Sequence, residues 1–169
     1  MSKEDEFKPK QSKLVKVQAK PRRDPWGKLL GIELPLYVEK VDINFKKHKV
    51  LAFVSYYPDS TFTCPVCGAE DLLIHSHRMR NIQTLDVLNF KGFVRLKHPK
   101  VLCPKCGVKP IELPFVRIRS TLSKSLERYI VEMCQIYPVR VVSKMTEVPY
   151  GQILNLMQLA RIVPKDYTP

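Results

Sequence analysis

The chain has 169 residues, 44% of them hydrophobic and 27% charged, enough for one ordinary domain or two small ones. No run of about 18 apolar residues occurs, which argues against a membrane-spanning helix, and the opening MSKEDEFKPKQSK lacks the apolar stretch of a secretory signal, so a cytoplasmic location is expected. The formal net charge of +13 is spread as +4 over 1–24, +5 over 25–116 and +4 over 117–169, a distribution that favours a polyanionic partner, nucleic acid first, over a basic protein with no such partner.

Residues 1–24 are rich in Lys, Gln, Ser and Pro and poor in large apolar side chains, and are expected to form a flexible basic arm that stays solvated. Ordered structure is expected from DPWGKLLGIELP (24–35), where Trp26, Leu29, Leu30 and Ile32 form a short apolar anchor. In 37–57, Val38, Val41, Ile43 and Phe45 alternate, KKHK supplies a polar turn with a solvated His48, and VLAFVSYY follows as a second strand, a hairpin pattern. Between 69 and 102, Ile74, Ile82, Leu85, Val87, Leu88, Phe90, Phe93, Val94 and Leu96 suggest further short strands with a turn at NFKG (89–92).

The pattern then changes period. Leu122, Leu126, Tyr129, Ile130, Met133, Cys134 and Tyr137 recur at steps of three and four, the mark of an amphipathic helix, with Ser123 as its N-cap. A second short helix is expected over 138–147 with Pro138 in its first position, a break at VPY, and a third helix over 149–163 whose buried face is Ile153, Leu156, Met157 and Ala160. Three short helices joined by tight turns predict a helix-turn-helix arrangement.

Four of the five cysteines fall in two matching knuckles, CPVCG (64–68) and CPKCG (103–107), with 35 residues between Cys67 and Cys103. A two-residue gap lets one turn aim both sulfurs at one ion, and zinc takes four thiolates tetrahedrally. Gly68 and Gly107 permit the positive φ that points backbone N–H groups at sulfur, while Lys105 and Lys109 offset part of the charge of a four-thiolate zinc. Cys64, Cys67, Cys103 and Cys106 are therefore the expected ligands of one closed, structural site, and structural zinc contributes about 10–16 kcal/mol to folding in small domains. The alternatives are two redox pairs or disulfides, or a rubredoxin-like iron site. Cys134 is expected in a helix core, His75 and His77 outside the metal site, and His98 gives no signal.

From about 26 to 163 the chain resembles the N-terminal half of insertion-sequence transposases of the ISL-three family. The resemblance rests on LLG (29–31), the two cysteine pairs, Arg80, Leu85 and Asp86 between them, Pro99-Lys100-Val101 before the second pair, Pro114-Phe115-Val116-Arg117 after it, and Leu126-Glu127 opening the helices. It implies a zinc ribbon followed by a helix-turn-helix that together bind DNA, with a separate acidic, metal-dependent domain cutting and joining strands. After Val163 the sequence supplies only Asp166 as an acid, so no catalytic domain and no enzymatic activity are expected of this chain.

The expected fold is thus α+β: a basic arm (1–24), a β-rich zinc ribbon (25–117), a three-helix helix-turn-helix (118–163) and a tail (164–169). The expected function is zinc-stabilised binding of double-stranded DNA, with the third helix in the major groove. Tyr150, Gln152, Asn155 and Gln158 would face bases, and Arg117, Arg119, Lys124, Arg140, Lys144 and Arg161 would lie near phosphates. The competing expectation is a protein-interaction or assembly factor built on a repurposed transposase module. In that reading Leu154 and Leu159 of the C-terminal helix meet a partner or a second copy of the chain.

Overall fold

The computed structural model describes residues 24–162. Most of the expected arm and all of the expected tail lie outside the described residues. Asp24 does not behave as arm. One carboxylate oxygen accepts from the Gly27 N–H (2.7 Å) and the other from the Val38 N–H (2.8 Å). It thereby caps a helix α1 (Pro25–Leu30) and ties it to the first strand. The apolar anchor expected at 24–35 is built on this helix, a fourth one that precedes the sheet, and Ile32 just beyond it is buried in the sheet core.

The β-rich part is one five-stranded sheet: β1 (Leu36–Asn44), β2 (Lys49–Tyr56), β3 (Ile74–Val87), β4 (Phe90–Cys103) and β5 (Gly107–Pro110). The spatial order is β1-β2-β4-β3, with β5 paired to the far part of β4. The hairpin expected from 37–57 forms with antiparallel register, Val38 opposite Val54 and Ile43 opposite Val50. Phe45 leaves the strand and sits exposed in the turn, edge-on to Phe90 at 5.6 Å. The short strands expected over 69–102 are instead two 14-residue strands joined at Leu88–Asn89, both with positive φ, so the turn shares only Asn89 with the expected NFKG turn, whose Phe90, Lys91 and Gly92 begin β4. A two-residue connection with two left-handed residues matches the right-handed twist of a long hairpin.

β2 and β4 run parallel, Ala52 opposite Val94 and Val54 opposite Leu96. The chain between them must therefore cross over, and residues 57–73 plus all of β3 form that passage. One face of the sheet carries Ala52, Val54, Ile82, Val94 and Leu96, all buried, and Ile111, Leu113, Phe115 and Val116 from the segment after β5 join the same core. The opposite face carries Lys40, Phe53, Phe93 and Arg95, with Lys40 and Arg95 over the Phe53 ring.

The helical part comprises α2 (Lys124–Cys134), α3 (Val139–Thr146) and α4 (Tyr150–Ala160). Ser123 caps α2, its hydroxyl accepting from the Leu126 N–H at 3.2 Å. Pro138 and Pro149 stand just ahead of α3 and α4 rather than in their first turns. Leu126, Ile130, Cys134, Val142, Ile153, Leu156 and Met157 make a second core. Tyr129, Tyr137 and Ala160, expected on buried faces, are exposed, and Glu127 takes the buried position beside Leu126. The two parts meet near the turn end of the β3–β4 hairpin: the Gln83 side chain donates to the Thr146 carbonyl (2.7 Å) and Lys91 to that of Met145 (2.6 Å). Among the described residues, no helix is long and apolar enough to cross a membrane.

Candidate metal centre and nucleic-acid surface

The first knuckle lies on the crossover between β2 and β3, pinched shut by the paired backbones of Phe62 and Leu72 (3.0 Å in both directions). Within it the Cys64 N–H donates to Ala69 (2.8 Å) and the Gly68 N–H to Cys64 (3.0 Å). The second knuckle is the turn between β4 and β5, closed by the pairing of Cys103 with Gly107. Gly68 and Gly107 both adopt φ 72°, the left-handed conformation that their places after the second cysteine demand.

The four sulfurs of Cys64, Cys67, Cys103 and Cys106 lie within 4.8 Å of one another, and no other cluster of three or more potential ligands occurs among the described residues. Tetrahedral Zn–S bonds of 2.3 Å set sulfurs about 3.8 Å apart, so the cage is of the right size. Cys67 and Cys103 approach to 3.4 Å, well outside the roughly 2.05 Å of a disulfide. The N–H groups of Cys67 and Val66 point at the Cys64 sulfur and lower its pKa to about 7. The neighbouring Cys67 thiol and burial push Cys106 up to about 12. Four thiols this close cannot all ionise alone, and a dication at their centre removes that obstacle. The four sulfurs would fill every position of a tetrahedral ion, which makes a bound zinc structural, with no open position for substrate. His75 and His77 stand outside the cluster, and Cys134 is fully buried in the helical core.

The expected nucleic-acid contacts divide. Arg119, Lys124, Arg140, Lys144, Tyr150, Asn155, Gln158 and Arg161 are exposed. Gln152 is half-buried and donates to the Thr121 hydroxyl at 2.9 Å, which fixes α4 against the segment that leads into α2. Arg117 is engaged differently from the sequence reading: its Nε and Nη2 clasp both oxygens of the buried Glu127 (2.6 and 2.9 Å). This carboxylate raises the Arg117 pKa, and the Ser120 hydroxyl donates to it as well (2.6 Å). Leu159 is exposed, whereas Leu154 packs against the helical core.

Two residues here were not expected at a site from the sequence, though Arg80 is among those that carry the family resemblance. The guanidinium of Arg80 donates to the Ser120 carbonyl and, at 3.5 Å, to Nδ1 of His98. His98 is buried and its Nε2–H donates to the Ile111 carbonyl (2.8 Å), which leaves Nδ1 as the acceptor and the ring neutral. Burial chiefly, then the charges of Arg80, Lys100 and Arg78, lower the His98 pKa. These two side chains floor an open groove of about 830 Å³ between the knuckle end of the sheet and the 111–119 segment. Only contacts across five chain segments assemble it, so no local spacing could have announced it.

Residues 60–111 match the family model for the zinc finger of the transposases of IS204, IS1001, IS1096 and IS1165. The matched span contains both knuckles and the long hairpin between them. The family match and the four-thiolate cage together make the metal zinc. No curated protein and no solved structure matches the chain significantly.

Proposed function

We propose that a zinc finger of transposase type, joined to three helices, works here as a binder of double-stranded DNA. The zinc holds the sheet and α2–α4 form a helix-turn-helix with α4 as the helix that enters the major groove. The observation that carries this reading is the pairing of that zinc finger with an exposed polar face on α4, where Tyr150, Asn155 and Gln158 stand clear of the helical core. Asn and Gln side chains can bond adenine edges bidentately. The three-residue turn Glu147–Pro149 supports it, since Glu147 in the left-handed conformation reverses the chain in the space such motifs require. Arg140 and Lys144 on α3, with Arg119 and Lys124 ahead of and at the start of α2, supply phosphate contacts. Arg117 serves the fold instead. Strand cutting is assigned to no group of this chain, since two-metal phosphoryl transfer requires clustered carboxylates.

Fluorescence anisotropy with a labelled random-sequence duplex tests the proposal. Binding with a Kd on the order of 10⁻⁴–10⁻⁶ M, weakening linearly in log–log terms as salt rises, is the expected result. Binding that is absent, or indifferent to salt, rejects it. A protein-contact role for α4 has the exposed side chain of Leu159 in its favour. Recovery of one defined protein by the tagged chain after nuclease treatment would move the assignment there.

A further inference from the structure

The groove beside the metal centre is unusual in its charge. Arg78, Lys100, Lys109, Arg119 and Lys124 line it, and none of them forms an ion pair among the described residues. Glu112 is the one acidic side chain on its wall. Its floor adds Arg80, whose pKa is lowered by burial and by the nearby charge of Arg78, and the neutral His98. Five cations facing a single carboxylate repel one another, so the arrangement is one that an external polyanion would relieve.

We infer that this groove holds a length of DNA sugar–phosphate backbone, so that the zinc-bearing sheet, and not the helices alone, grips the duplex. The inference rests on the DNA-binding reading above and extends it to residues on β3, β4 and β5. Three features favour a backbone over a small anion. The groove is open, and its cations come from separate segments, Arg78 on β3, Lys100 on β4, Lys109 on β5 and Arg119 and Lys124 beyond the sheet, rather than from one turn. Its wall includes the exposed apolar side chains of Val66 from the first knuckle and Ile118, suited to sugar faces between phosphates. The 119–124 segment that forms one rim is also the segment to which Gln152 of α4 is bonded through Thr121. A duplex read by α4 would therefore run directly onto the groove. Arg119 is held there with φ 63°, a strained backbone for a side chain of its size and one often found where geometry serves binding.

The zinc-loaded full chain tests this with two triple variants of equal charge change. Arg78→Gln/Lys100→Gln/Arg119→Gln empties the groove rim, and Lys28→Gln/Lys46→Gln/Lys47→Gln removes three exposed cations remote from it. Both should keep the zinc content and melting temperature of the parent chain, because none of these six side chains has an acidic partner among the described residues. With random duplex, the groove variant should make the negative slope of log K against log salt shallower by about 3, at roughly 0.9 per phosphate contact. The remote variant should change it by less than about 1. Equal losses in the two variants, or an unchanged slope in the groove variant, would overturn the inference and leave the DNA-binding reading standing. Absence of salt-dependent binding by the parent chain would reject both.

Discussion

Arg117 and Glu127 show how a single ion pair can redirect a residue-level reading. Basic residues ahead of the helices look like phosphate contacts in a chain with a net charge of +13. In the fold, the Glu127 side chain is 8% exposed and the Arg117 side chain 39%. A carboxylate so deeply placed needs a partner, and the bidentate clasp with the Ser120 hydroxyl supplies it. Arg117→Met leaves that carboxylate with Ser120 alone. We expect a loss of about 2 kcal/mol in urea unfolding of the zinc-loaded protein, below the 3–5 kcal/mol of fully buried pairs because Arg117 keeps solvent contact. The salt slope of DNA binding should stay as in the parent chain. A variant with unchanged stability and a reduced slope would restore Arg117 to the phosphate contacts. Periodicity could not have exposed this pair: stepping by three and four from Leu126 reaches Tyr129 and Ile130 and skips the acid that is in fact buried.

At the scale of elements, the β1–β2 hairpin and the three helices after the sheet were legible because their signals are local: alternation around a polar turn, and apolar steps bounded by Ser123 and two prolines. The length of β3 was not, because HSHRMRN is polar through its first half and only pairing with β4 holds it extended. That pairing depends on Gly92. A Cβ there would lie 2.4 Å from the Leu85 carbonyl oxygen and 2.7 Å from Thr84 Cγ2, at the irregularity where β3 shifts register between Thr84 and Val87. A backbone oxygen cannot swing aside, so Gly92→Ala should cost about 1–3 kcal/mol through displaced backbone. Gly151→Ala, where a Cβ meets nothing within 4 Å, should instead stabilise by about 0.4–1 kcal/mol. Thermal melts of the two variants shifting in the same direction would show that the close approach at Gly92 is not what the hairpin depends on.

Over the whole molecule, the metal centre was the most legible feature and the topology the least. Two knuckles of identical spacing name their ligands outright, whereas the parallel pairing of β2 with β4 joins residues about forty positions apart and leaves no trace in local pattern. The groove was hidden for the same reason. Because the cage fastens the sheet and the helical core is separate from it, chelation of zinc or Cys106→Ser should abolish the cooperative melt of the sheet while α2–α4 retain helical circular dichroism. Simultaneous loss of both signals would mean that the helices cannot stand without the sheet.

The crossover gives the ion a second meaning. Two of its ligands ride on the passage that leaves β2, and the other two sit at the end of the strand that β2 eventually joins. The ion therefore joins the crossover to the end of β4, and binding it favours the threading in which those two segments meet.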